Sequence, residues 1–132
     1  MLTGPVVQVV DGDNIDVQLG GHRVHVRYLG INTPETTDPA TGVEPFGPEA
    51  EAANRQLVEG QTVRLELDVQ PWDRYQRLLA YVYVGDLMVN AELVRQGYAQ
   101  VATYPPNVRY QDRFRALQEE AREAHRGVWG KP

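Results

Sequence analysis

The chain has 132 residues, a formal net charge of −5, 42% hydrophobic residues and 23% charged residues, as expected of a single domain over 1–132 with a real core. It has no cysteine, which excludes disulfides, thiolate metal sites and a cysteine nucleophile. The acidic balance argues against a broad DNA-coating surface, because phosphate neutralisation supplies much of the affinity of such surfaces; a small cationic cleft remains compatible with it.

Val6 to Val10 is a β-branched run and reads as a strand, broken by Asp11-Gly12-Asp13, where Gly12 is expected to supply the backbone freedom of a turn or bulge. Ile15, Val17 and Leu19 alternate with polar residues, as do Val24, Val26 and Tyr28 after Gly20-Gly21. Two period-2 runs around a Gly-Gly pair predict a hairpin with Arg23, His25 and Arg27 on one face of its return arm. Residues 30–46 carry three prolines and little periodicity and read as a long loop, a feature that is often functional in a compact domain. Gly47-Pro48-Glu49 then predicts a helix start with Gly47 at the cap, and Gly60 its end. Val63 to Leu67 and Leu78 to Val84 read as strands, Asn90 as the cap of a short helix, and Thr103 to Asn107 as a rigid loop. Tyr110, Phe114, Leu117 and Ala121 fall at helical spacing in a last helix from about Arg109 to His125, after which Trp129 is expected to fold back onto the body. Three strands, a helix, two strands and two helices predict an α+β fold: a five-stranded OB-fold Greek-key barrel with three α-helices.

No run is long and apolar enough for a membrane helix, and MLTGPVV has neither the basic nor the apolar region of a signal peptide. Two clusters carry oxygen ligands, Asp11 to Asn14 and Asn32 to Glu35, and two arginines, Arg27 and Arg77, carry planar forks that fit phosphate. Taken singly, each has a plain reading: Asp, Gly and Asn favour turns, and an arginine on a strand often makes only a surface ion pair. Glu35 could orient or deprotonate a water, or merely neutralise the arginines. His22 and His25 point to opposite strand faces and make no metal pair, and His125 suits the end of a helix. Trp72 and Tyr75 could stack on bases, whereas Tyr81 and Tyr83 read as core. Together, oxygen ligands, cations and a carboxylate point to a metal-assisted phosphate site.

In this order the segments VDGDNI (10–15), VRYLGINTPET (26–36), GVEPFGPEA (42–50), DRYQRLLAYVY (73–83), MVNAELVRQGYA (88–99) and GVW (127–129) resemble the staphylococcal-type thermonuclease family, along almost the whole chain. The resemblance implies a calcium-dependent nuclease that cleaves DNA and RNA with little sequence preference and leaves 3′-phosphate ends. It implies Ca²⁺ held by Asp13, Asn32 and the Thr33 carbonyl, Glu35 acting on the attacking water, and Arg27 and Arg77 on the phosphate. Arg74 and Tyr104 fall near positions that contact the terminal phosphate or base. It favours a secreted or cell-surface protein, with a monomer as the expected state. Two positions depart from the family: Asn32 stands where a second carboxylate is common, and Gln76 where a glycine is common. The lost charge at Asn32 keeps an alternative open, a non-catalytic OB-fold module that binds nucleic acid.

Overall fold

The structure, a computed structural model, describes residues 1–36 and 44–130. The predicted long loop thus lies partly outside the described residues. Five strands make the barrel: β1 (Leu2–Asp11), β2 (Asn14–Leu19), β3 (His22–Tyr28), β5 (Thr62–Glu66) and β6 (Leu78–Val84). Short strands β4 (Ile31–Asn32), β7 (Leu87–Met88) and β8 (Gln100–Val101) are added, with helices α1 (Gly47–Val58), α2 (Val89–Arg95) and α3 (Gln111–Glu123). The sheet runs β3-β2-β1-β5-β6-β7, and a parallel pairing of β3 with β6 closes it, as the OB-fold requires. β1 begins four residues before the predicted start and pairs through Leu2 to Pro5 with β5, so Gly-Pro does not end it.

The core holds Ile15, Val17, Val26, Val63, Leu65, Val82 and Leu93, each fully buried. Ala50, Asn54 and Val58 recur every four residues and form the buried face of α1. Asn54 accepts from the Tyr28 hydroxyl at 2.6 Å and donates to the Asp11 carbonyl at 2.8 Å, tying the helix to the turn between β1 and β2. α3 packs through Phe114 and Tyr110, whose ring meets Tyr81 edge to face at 4.6 Å. The Glu66 carboxylate accepts from Tyr83, Tyr110 and Arg109; burial pushes its pKa up, but these hydrogen bonds outweigh it and hold the pKa below the usual glutamate value. Trp129 does fold back: it lies in a terminal 3-10 turn, with Arg122 5.2 Å from its ring.

Three expectations are corrected. The cap residue of α1 is Phe46, with φ 67°, and Gly47 is the first helical residue; a Cβ on Gly47 would stand 2.7 Å from the Glu35 carbonyl oxygen. Close approach, not capping, thus demands glycine there. Gly12 has no positive φ; a Cβ on it would stand 2.5 Å from Thr33 Oγ1, so its role is also close approach. Asn90 is not a cap. It lies inside α2, fully buried, where it accepts from Val82 N–H at 2.8 Å and donates to the Leu29 carbonyl at 2.9 Å. The buried amide answers a backbone N–H of β6 and a backbone carbonyl just after β3, groups that would otherwise be buried without partners.

Candidate active site

Two strand pairings assemble the cleft. Antiparallel register sets Asn14 of β2 opposite Arg27 of β3, and the parallel pairing sets Arg27 beside Leu79 of β6, two residues beyond Arg77. The two arginines, fifty residues apart in sequence, thereby meet at one end of the barrel. The turn from Asp11 to Asn14 and the segment from Asn32 to Glu35 form the other walls, and the cleft encloses about 1080 Å³. Asp13, Arg27, Asn32, Thr33, Glu35 and Arg77 all line it.

Asp13 is the centre of the hydrogen bonding. Its Oδ2 accepts from Thr33 N–H at 3.0 Å and stands 2.9 Å from Arg27 Nη1; its Oδ1 accepts from Asn14 Nδ2 at 2.9 Å. Burial pushes the Asp13 pKa up to about 7; Arg27 pulls it down, and the neighbouring Asp11 adds to the rise. A buried carboxyl with that balance gains from a further positive charge. Arg27 also donates to the Tyr28 carbonyl at 3.0 Å and, through Nη2, to Asn32 Oδ1. Its guanidinium bridges Asp13 and Asn32, the two side chains that the family resemblance implies as metal ligands.

Arg77 is aimed by Asp73, which accepts from its backbone N–H at 2.9 Å and from Nε at 2.8 Å. Burial raises the Asp73 pKa, but hydrogen bonds from Arg77 and from Tyr75 N–H more than cancel this and hold it low. Arg77 Nη1 donates to Asn14 Oδ1 at 3.3 Å, and the Tyr75 ring lies 5.4 Å from the guanidinium carbon. The backbone of Glu35 is clasped by Glu44: Glu35 N–H donates to Glu44 Oε1 at 2.9 Å, and Glu44 N–H to the Glu35 carbonyl at 2.8 Å.

Tyr104 does not line this cleft. It borders an adjoining cavity of about 270 Å³ whose walls include Arg27, Arg77 and Asp73. Arg74 lines neither cavity; it is exposed, donates to the Tyr75 hydroxyl at 2.8 Å and lies over that ring. Asp11, Asn14 and Asp73 position the candidate site residues, a role the sequence did not reveal: it marked Asp11 and Asn14 only as members of an oxygen-rich cluster and Asp73 only within DRYQR. Asp11 Oδ1 accepts from Asp13 N–H at 3.0 Å and from Asn14 Nδ2 at 2.9 Å, so the turn is built to hold Asp13. Aspartate and asparagine in a turn have a sufficient local explanation, which hides such a role in sequence.

The donors around Asp13 test the cation implied by the resemblance. Among the described residues, no group of three or more histidines or carboxylates forms a metal-binding array. Asp13 is a buried carboxylate whose burial is offset only in part by Arg27, so the donor set around it favours an added positive charge. One carboxylate, the Asn32 amide oxygen and the Thr33 carbonyl are hard oxygen donors, which fit Ca²⁺ with few protein ligands.

The staphylococcal nuclease homologue model matches residues 25–131. The chain belongs to the staphylococcal nuclease homologue family. It is 41% identical over 127 residues to the thermonuclease of Staphylococcus hyicus, covering 96% of this chain and 75% of that protein. It is 40% identical to the Staphylococcus intermedius thermonuclease over 94% of this chain and 74% of the relative. It is also 41% identical to endonuclease YncB of Bacillus subtilis (strain 168), over 94% of this chain and 60% of that protein. Staphylococcal nuclease homologues thus include proteins named for nuclease activity that match this chain across nearly all its length. No described helix is long and apolar enough to cross a membrane.

Proposed function

We propose that this protein is a nuclease that hydrolyses phosphodiester bonds of DNA and RNA in the cleft around Asp13, with Ca²⁺ as cofactor. The observation that carries the reading is the convergence of Asp13, Arg27, Glu35 and Arg77 on one cleft from four separate segments. Family membership and the names of the relatives support it.

Asp13, the Asn32 amide oxygen and the Thr33 carbonyl would hold the cation. When bound, Ca²⁺ supplies Lewis-acid polarisation of a phosphoryl oxygen and a place for water. The remaining chemistry belongs to the chain. A phosphodiester anion repels an incoming nucleophile, so its charge must be offset before attack. Arg27 and Arg77 do this from two sides, and Asp73 and Asn14 fix Arg77 before substrate arrives. Preorganised donors act most strongly where charge grows in the transition state. Glu35 takes the proton of the attacking water or orients it, with its backbone fixed through Glu44 and the close approach of Gly47. Hydrolysis that breaks the bond to the 5′ oxygen leaves a 3′-phosphate. The Tyr104 cavity adjoins both arginines and offers an aromatic wall for a flanking base.

The test is incubation with plasmid and with single-stranded DNA and RNA, with Ca²⁺ and with chelator. Ca²⁺-dependent nicking and shortening, with 3′-phosphate on the products, is the expected result. Binding without cleavage at any Ca²⁺ concentration would make the protein a binding module instead.

A further inference from the structure

The outer face of the β2–β3 hairpin carries a polar cluster that the proposed chemistry leaves unused. Asp16 is buried, and its carboxylate is only 4% exposed. Its Oδ2 accepts from Arg23 Nε at 3.0 Å and Nη2 at 2.9 Å, and its Oδ1 meets His25 Nδ1. Arg23 Nη2 also donates to Gln8 Oε1. The side chains of Arg23 and His25 are 51% and 66% exposed, so the cationic and imidazole groups lie outward while the anion lies beneath them. Two of the three guanidinium nitrogens are committed to Asp16 or Gln8, and Nη1 has no acceptor among the described residues.

This cluster is continuous with the cleft. Arg23, His25 and Arg27 alternate onto one face of β3, opposite Gln18, Asp16 and Asn14 of β2. Asp16 and His25 themselves line the cleft. Same-face residues on a strand repeat every ~7 Å, so Arg23 stands about 13 Å along the strand from Arg27. Such a repeat is comparable to the separation of successive phosphates in an extended nucleic-acid strand. The flanking residues on this face, Gln8 and Gln18, carry no charge, and the carboxylate that Arg23 meets, that of Asp16, is covered. In a chain of net charge −5, a preset arginine in line with the cleft is a local attraction for phosphate.

We propose that Arg23, with His25 beside it, forms a phosphate subsite on β3 for a nucleic-acid strand that continues out of the cleft past Arg27. Asp16 is the positioning residue: it fixes Arg23 Nε and Nη2 and leaves the outer edge for the strand. The inference rests on the nuclease reading only for which strand lies there; its test uses binding alone. Affinity of a fluorescent single-stranded oligothymidylate is measured by anisotropy, in chelator, across a salt series. Four proteins are compared: the parent, Arg23→Gln, Arg23→Lys and the charge-matched control Arg113→Gln on α3. One lost phosphate contact reduces the slope of log K against log salt by about 0.7 for single strands. Arg23→Gln should show that drop and up to about fivefold weaker binding at moderate salt, the range of an exposed ion pair. Arg23→Lys should keep the slope, and Arg113→Gln should match the parent. A scan that replaces one phosphate at a time by neutral methylphosphonate locates the contact: one position that matters to the parent should cease to matter in Arg23→Gln. Equal slopes for Arg23→Gln and Arg113→Gln, or an unchanged scan, would overturn the subsite. A drop in Arg23→Lys equal to that in Arg23→Gln would also overturn it, since loss of the Asp16 pair would then explain both. Absence of cleavage with Ca²⁺ in the parent would instead remove the nuclease reading and leave this result standing.

Discussion

Arg77 shows what a single side chain contributes. Its Nε and backbone N–H are held by Asp73, so the fork is aimed before any ligand arrives. Lysine offers a point charge and one donor centre, without the planar fork. Arg77→Lys is therefore expected to fold normally and lose on the order of a hundredfold in turnover, the cost of one misplaced transition-state donor; steady-state kinetics beside a thermal melt check it. Asn32 tests the metal assignment. Its amide oxygen lines the cleft and accepts from Arg27, and a carboxylate there adds charge beside Asp13. Asn32→Asp should lower the Ca²⁺ concentration for half-maximal activity, since ligand charge tunes Ca²⁺ affinity. Calorimetry on the substrate-free proteins should show the same order, and an unchanged requirement would take Asn32 off the metal. Asp13, Arg27 and Arg77 were legible in the sequence because motifs surround them. The positioning roles of Asp11, Asn14 and Asp73 were not: Asp11 and Asp73 make local bonds of the kind any turn aspartate makes, and only the contact of Asn14 with Arg77 depends on which strands become neighbours.

At the scale of elements, β2, β3 and β5 were readable from alternation, β6 from a continuous apolar run, and α3 from its apolar spacing. The parallel contact of β3 with β6 has no local signal, yet it places Arg27 near Arg77. β4 and β8 escaped notice because two-residue strands have no periodicity to detect. Asn90 was misread because a short polar residue ahead of an apolar run looks like a cap, whether or not it is buried. Its amide joins α2 to Val82 of β6 and to the Leu29 carbonyl just after β3. Asn90→Ala would leave those backbone groups buried without partners, at a cost of about 2–4 kcal/mol. Chemical denaturation should show that loss with an unchanged m-value; a change below about 0.5 kcal/mol, typical of a neutral surface site, would show that water replaces the amide.

The whole molecule couples site charge to stability. Asp13 has a folded pKa near 7 against an ordinary value of 3.8, so between those values the folded state holds more protons. Stability from this group is therefore present at low pH and falls as pH rises toward 7. A cation on ionised Asp13 relieves that penalty, whereas below pH 7 it must displace a proton. Saturating Ca²⁺ should raise Tm more at pH 8 than at pH 5, with chelator as reference; equal shifts at both pH values would show that Ca²⁺ stabilises the chain elsewhere. Glu66 and Asp73 act oppositely, since their lowered pKa values give stability that is lost as pH falls through the acid range. The central claim is that the cleft performs hydrolysis and does not merely hold a strand. Its most direct test is single-turnover cleavage of single-stranded DNA with saturating Ca²⁺, with Kd measured in parallel, for the parent and Glu35→Gln. The parent should cleave, and the variant should bind as tightly or tighter while its cleavage rate falls by at least about a hundredfold, the scale of a lost general base. A parent that binds without cleaving, or a variant that cleaves at the parent's rate once bound, would contradict the account.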